Sequence, residues 1–180
     1  MSRYLVVSDN HGNLDNLKMV LKKYGNEIDG LIHCGDMEIP PTMLEEMAGV
    51  PVYMAEGNCD YYFDRDAEEL FELEDHVAFV THGDRHGISW GAEDLLARAQ
   101  EMGADLVFFG HTHRPAWYEF PEEHVTMFNP GSISLPRQFE PMGPTFMILD
   151  ILEDGSLKPS FCYMNRMFGT KVHRFDPRKI

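Results

Sequence analysis

Five times along this chain a short apolar run stops and, two to four positions later, presents a side chain able to hold a cation. Tyr4-Leu5-Val6-Val7 leads to Asp9 and His11. Leu31-Ile32-His33-Cys34 leads to Asp36, and Val52-Tyr53-Met54 leads to Asn58. Val77-Ala78-Phe79-Val80 leads to His82, and Leu106-Val107-Phe108-Phe109 leads to Gly110 and the pair His111 and His113. The runs have strand length and are rich in strand formers. Residues two apart in an extended segment point to the same side, so His111 and His113 can face one cavity.

Helical patterns separate several of these runs. Leu14, Leu17, Val20 and Leu21 share one helical face, with Asn13 or Asp15 as the candidate cap and Tyr24-Gly25 as the stop. Pro40-Pro41 opens a short helix carrying Met43, Leu44 and Met47. Residues 91–102 read as a helix, with Leu95, Leu96, Ala99 and Met102 on one side. Strand–helix alternation predicts an α/β core with a largely parallel sheet. After Pro115 the texture becomes β: segments 116–120, 124–128, 145–152 and 157–164 read as strands joined by turn residues, hairpin-like and antiparallel. The acidic stretch 61–75 reads as a solvated helix and loop with Leu70 and Phe71 turned inward. The last 15 residues hold Arg166, Lys171, Arg174, Arg178 and Lys179 against Asp176, and read as a surface tail or subunit contact.

The length of 180 residues suits one domain spanning 1–180. No run approaches the ~18 apolar residues of a membrane span, and Met1-Ser2-Arg3 leads straight into a strand without a leader pattern. Cys34, Cys59 and Cys162 are odd in number and widely spaced, which is no disulfide framework; the expected location is the cytoplasm. The net charge of −15 argues against a protein that coats nucleic acid, so no stable nucleic-acid or membrane partner is expected. It leaves room for an anionic substrate, because metal ions supply positive charge locally.

In open α/β sheets, ligands bind beyond the carboxyl ends of the strands. Asp9, His11, Asp36, Asn58, His82, His111 and His113 all follow such ends. Two carboxylates, four imidazoles and one amide form a mixed oxygen and nitrogen set, suited to Mn²⁺, Fe²⁺ or Zn²⁺ more than to Ca²⁺ or Mg²⁺. Seven donors exceed what one open first-row ion takes and match two ions sharing a carboxylate.

The blocks Asp9-x-His11, Gly35-Asp36, Gly57-Asn58-Cys59-Asp60, His82-Gly83 and Gly110-His111-x-His113 resemble the signature of the calcineurin-like metallophosphoesterases. The short length, the Gly-Asn-Cys-Asp block and Asn129-Pro130-Gly131-Ser132 make it similar to the small YfcE-like phosphodiesterase branch. That resemblance implies a four-layer α/β/β/α sandwich of two mixed sheets. It implies one metal held by Asp9, His11, Asp36 and His113 and a second by Asp36, Asn58, His82 and His111, with Asp36 bridging. Mn²⁺ is the expected ion, with Ni²⁺, Zn²⁺ and Fe²⁺ as alternatives. The implied reaction is hydrolysis of a small phosphodiester by a metal-bridging hydroxide, with Asp36, Asn58, Cys59 and His111 as the catalytic groups. Most of the wider family carries His where this chain has Cys59, and Cys there matches diesterase preference within the branch. Many branch members read His-Gly-His where this chain has His82-Gly83-Asp84, which implies a local change with the ligand kept. The resemblance leaves the oligomeric state open, and self-association of this chain would be unsurprising for the branch. A phosphomonoesterase or nuclease at the same site is the alternative enzyme, and a metal-free scaffold, as in the retromer subunit of similar fold, is the alternative of another class.

The remaining candidates have supporting roles. Asp60 is expected to orient a ligand histidine. Ser132 sits in a sharp turn with a candidate contact on the substrate side, and Arg137 reads as a phosphate grip or a surface ion pair. His33, His76, His86, His124 and His173 read as structural or exposed. Substrate specificity is expected from loops 61–66, 84–90 and 114–118.

Overall fold

The structure, a computed structural model, describes residues 1–61, 66–137, 143–165 and 171–179. The chain runs β1 (Ser2–Val7), α1 (Asp15–Tyr24), β2 (Gly30–His33), α2 (Pro41–Ala48), β3 (Val52–Met54), β4 (Glu68–Leu73) and β5 (His76–Thr81). It continues through α3 (Glu93–Met102), β6 (Leu106–Phe108), β7 (Pro115–Phe120), β8 (Val125–Pro130), β9 (Thr145–Ile151), β10 (Leu157–Asn165) and β11 (Lys171–Phe175).

These strands form two mixed sheets, ordered β11-β10-β9-β1-β2-β3 and β4-β5-β6-β8-β7. In the first, β1, β2 and β3 are parallel, with Val6 opposite Ile32, and β9 to β11 are antiparallel additions. In the second, β5, β6 and β8 are parallel, and β4 and β7 cap the edges in antiparallel fashion. Both sheets are thus mixed, as the resemblance implied.

The apolar runs are continuous because both faces of each sheet are covered. On β1, Leu5 and Val7 face a core shared with Leu17, Val20 and Leu21 of α1 and Leu44 of α2. Their neighbours Tyr4 and Val6 face the opposite way, into a core with Val80, Leu106 and Phe108 of the second sheet. Phe79 and Val107 then turn outward onto Leu95 and Ala99 of α3. Helix, sheet, sheet and helix are therefore stacked in four layers. Among the described residues, no helix is long and apolar enough to cross a membrane.

Three expectations need correction. Residues 68–73 form strand β4 rather than a helix. Phe71 packs inward and stacks on Tyr53 at 4.0 Å, Leu73 is buried, and Leu70 is turned out to 43% exposure, the alternation of a strand. Positions 62–65 of that stretch lie outside the described residues. The basic C-terminal segment is no tail either. β11 pairs with β10, and Arg178 beyond it lies 3.5 Å over the ring of Trp117, a cation–π contact that ties the end of the chain to the second sheet; Arg166 lies outside the described residues. Finally, α1 begins after Leu14 without a side-chain cap, and Asn13 Oδ1 instead accepts the N–H of Asp15 at 3.1 Å.

Candidate metal centre

The carboxyl ends of β1, β2, β5 and β6 meet where the two sheets adjoin, and the loops that leave them turn back sharply. Asp9, His11, Asp36, His111 and His113 all have positive φ, between 46° and 66°. Left-handed backbone is unfavourable for residues other than glycine, on the order of 1 kcal/mol each. Close approach of glycines lets the loops pack. A Cβ on Gly57 would collide with the backbone nitrogen and Oδ1 of Asp36, and one on Gly110 would collide with Ser8 Oγ.

Asp9, His11, Asp36 and His113 each place one ligand atom within 4.8 Å of all the others. His113 Nε2 lies 3.1 Å from Asp9 Oδ1 and 3.2 Å from His11 Nε2. His11 Nε2 lies 3.7 Å from Asp36 Oδ2. On the other side of Asp36, His82 Nε2 lies 3.3 Å from the same Oδ2. Beyond it, the rings of His82 and His111 are 5.2 Å apart, and His111 Nδ1 faces Asn58 Oδ1 at 3.1 Å. Asp9, His11, Asp36 and His113 thus form one close group, His82 borders it at Asp36 and at Asp9 Oδ1, 4.0 Å away, and His111 with Asn58 lies beyond His82. Oδ1 of Asp36 is held separately, by the backbone N–H of Cys59 at 2.8 Å.

Three of the imidazoles are oriented by their far nitrogens. His11 Nδ1 is 2.6 Å from Glu38 Oε1, His82 Nδ1 is 2.7 Å from the Cys34 carbonyl, and His113 Nδ1 is 2.6 Å from the Leu135 carbonyl. Donation from Nδ1 aims Nε2 at the cluster, the arrangement common to metal-binding histidines. Both oxygens of Asp9 and Nε2 of His82 are buried without a hydrogen-bond partner, although His113 and His82 come close. A buried carboxylate left this way is costly unless a cation meets it. The residues present thus fit a metal: Asp9, Asp36, His82 and His113 are buried, His11 and His111 partly so, Asn58 is exposed at the edge, and together they offer oxygen and nitrogen donors.

The titration behaviour points the same way. Burial opposes a charge on His82, yet the carboxylates of Asp36 and Asp9 outweigh it and hold the imidazole up at about 9. Burial likewise opposes ionisation of Asp36, but His82 and the Cys59 N–H hold it well below the usual carboxylate range. His113 is raised: burial is overcome by Asp9 and the Leu135 carbonyl. His111 is lowered by burial and by His82. The carboxylates draw positive charge onto His82 and His113.

Around this centre a layer of residues fixes the loops. Asp60 accepts the N–H groups of Met37 at 2.8 Å and Glu38 at 2.6 Å through Oδ1, and that of Gly57 at 2.9 Å through Oδ2. It therefore orients backbone rather than a histidine, a correction to the sequence reading. Ser132 Oγ donates to the Asp9 carbonyl at 2.8 Å from a buried position, so it clamps the β1 loop and offers nothing to substrate. Asn10 Nδ2 donates to the Met37 carbonyl, and its Oδ1 faces His33 Nε2. His33 is buried and held down to about 4, chiefly by desolvation. Arg137 is exposed; its N–H donates to the His113 carbonyl at 3.1 Å, and its charge acts on the His113 ring. Cys59 is half-buried, and burial together with nearby Asp36 pushes its thiol up to about 11. Pattern reading missed Glu38, Asn10 and the two carbonyls. Glu38 stands two residues after Asp36, but only the loop's shape brings it to His11; carbonyls carry no mark in a sequence.

The calcineurin-like phosphoesterase superfamily domain matches residues 3–154 of the chain. "Probable metallophosphoesterase YsnB" of Bacillus subtilis strain 168 is 39% identical over 133 residues, which cover 74% of this chain and 76% of that protein. "Phosphodiesterase YfcE" of Escherichia coli K12 is 27% identical over 175 residues, covering 84% of this chain and 90% of the relative. The crystal structure of a predicted phosphoesterase from Streptococcus pneumoniae TIGR4 is similar over 97% of each chain, with a TM-score of 0.77 at 26% identity.

Proposed function

The chain belongs to the calcineurin-like phosphoesterase superfamily, and on that premise we propose that it hydrolyses a phosphodiester with the help of two divalent cations, Mn²⁺ foremost. The observation that carries this reading is the cluster in which Asp9, His11, Asp36 and His113 each bring one ligand atom within 4.8 Å of the others, with Asp9 Oδ2 buried and left without a hydrogen-bond partner. Asp9, His11 and His113 would hold one cation and Asn58, His82 and His111 the other, with Asp36 between them. Bound there, two cations supply activation of water and neutralisation of phosphoryl charge.

The chain's own residues supply position. The Cys59 N–H fixes Asp36, so its other oxygen points between His11 and His82. Glu38 and the Cys34 and Leu135 carbonyls fix three imidazoles, which keeps the donors from reorganising during turnover. Charge favours a diester over a monoester. A diester is a monoanion, whereas a phosphate monoester carries close to two charges near neutrality. Glu38 borders the cluster at His11, and the chain's net charge is −15. The name of the relative YfcE supports the same choice. The reaction suits the cytoplasm, in keeping with cysteines 34, 59 and 162, all free. A metal-free scaffold is disfavoured, because all seven donor positions are filled.

The test uses chelated protein, titrated with Mn²⁺, acting on bis(4-nitrophenyl) phosphate beside 4-nitrophenyl phosphate. Metal-dependent hydrolysis with diester preference is expected, and Asp36→Ala should lower it more than about a hundredfold. Monoester preference contradicts the diester reading, and near-normal turnover by metal-replete Asp36→Ala contradicts the two-cation reading.

A further inference from the structure

Beside the cluster lies a cavity of about 490 Å³, lined by residues 38–41 and by Cys59, Asp60 and Tyr61. Two of these residues also border the cluster: the ligand-type atoms of His11, Glu38 and Cys59 lie within 4.8 Å of one another. The cavity therefore begins where the donors end. Its walls are mostly apolar, from Ile39, Pro40, Pro41 and the ring of Tyr61. The two prolines, at the entry of α2, make a wall that needs little ordering when a ligand arrives. Asp60 contributes little charge to the space, because its carboxylate is engaged by three backbone N–H groups. Glu38 puts a carboxylate at the cluster end, against His11. Tyr61 is 84% exposed, a large aromatic side chain left to solvent at the rim. The volume is that of a pocket for a small organic group, larger than a methyl ester would fill.

We infer that this cavity receives one ester arm of the substrate and selects an uncharged, apolar arm over a small or charged one. The inference rests on the proposed reaction, which puts the phosphoryl group at the cluster. A diester has two arms, and one directed past Cys59 enters the apolar space. A second anionic group on that arm would have to leave water among the apolar walls. The pocket thus favours a compact diester over a polynucleotide, whose neighbouring phosphates would meet the same walls.

The test is binding rather than turnover, using phosphonate monoesters that differ only in the arm. Phenyl methylphosphonate, methyl methylphosphonate and 4-carboxyphenyl methylphosphonate are titrated calorimetrically into the Mn²⁺-loaded protein, within a time over which ³¹P NMR shows each ester intact. Burial of a phenyl ring predicts that the phenyl ester binds at least about tenfold tighter than the methyl ester. The 4-carboxyphenyl ester should bind more weakly than the phenyl ester. Ile39→Asp should bring the phenyl-to-methyl ratio below about threefold. Tyr61→Ala, a change at a solvent-exposed rim position, should lower the ratio too, and it carries the test if Ile39→Asp does not fold. A wild-type ratio near one, no measurable binding of either ester, a ratio unchanged in the variants, or tight binding of the carboxylated arm overturns the inference. Hydrolysis of bis(4-nitrophenyl) phosphate is measured in parallel. Arm selectivity without hydrolysis keeps the pocket and removes the reaction; hydrolysis without selectivity does the reverse.

Discussion

Asp60 is the residue whose replacement should most clearly separate positioning from ligation. Its side chain is buried, and its two oxygens accept three backbone N–H groups from the loops that carry Asp36 and Asn58. Burial and the nearby charge of Asp36 push its carboxyl up despite these donors, so the charge itself adds little. The cost of losing it comes from the stranded donors. Met37 and Gly57 are buried, and each unpaired buried N–H costs about 1–3 kcal/mol, whereas the Glu38 N–H can turn to water. Asp60→Ala should therefore destabilise the protein by about 4 kcal/mol, a large part of a typical total of ~5–15 kcal/mol. Asp60→Asn keeps an oxygen for Met37 and Glu38 but turns an NH₂ toward Gly57, and should cost about 2 kcal/mol. Urea unfolding of the chelated proteins measures both values. Mn²⁺ affinity should fall in the same order, because the loops holding Asp36 and Asn58 loosen together. Equal losses in the two variants, or a loss below about 1 kcal/mol for Asp60→Ala, would refute the reasoning.

Other substitutions test separate parts of the account. Gly57→Ala drives a methyl group into the backbone and carboxylate of Asp36 and should lower diester turnover at least about a hundredfold, read as kcat/KM with saturating Mn²⁺. Cys59→Ser keeps the N–H that holds Asp36 and should change turnover less than about tenfold, whereas Cys59→Pro deletes that N–H and should cost far more; equal effects would show that the thiol matters instead. His76 sits at the opposite end of the second sheet. Its pKa is raised: burial lowers it, but the Gly155 carbonyl at 2.8 Å and Asp105 at 2.7 Å outweigh that. A raised folded-state value means its stabilisation is fully present below the unfolded value of about 6.5 and is lost as pH rises through the folded value. Urea midpoints should show this loss on the alkaline side of about 6.5 in the parent and not in His76→Phe; matching profiles would contradict the assignment.

The donor set was legible because chemistry and fold coincide at strand ends. A run such as Leu106-Val107-Phe108-Phe109 is apolar throughout because Leu106 and Phe108 face one core and Val107 and Phe109 another, and the residues after it leave the core for the site. Strand β4 was harder to read. Only Phe71 and Leu73 keep the period of two, and the acids of its exposed side read as a solvated helix. Strand β11 was hidden for a related reason: its cations read as surface while its backbone completes a sheet edge. The pairing of β1 with β9 brings together residues more than 140 positions apart, such as Val6 and Met147, which periodicity does not record. The partners of the histidines were the least legible. His82 and His113 depend on carbonyls of Cys34 and Leu135, whose side chains are irrelevant to that task.

The most direct measurement is anomalous diffraction from crystals of the Mn²⁺-loaded protein. The account predicts two manganese peaks, separated by roughly 3.5–4 Å, one beside Asp9, His11 and His113 and one beside Asn58, His82 and His111, with Asp36 touching both. A single peak, or none, in crystals of protein that still hydrolyses the diester would contradict it.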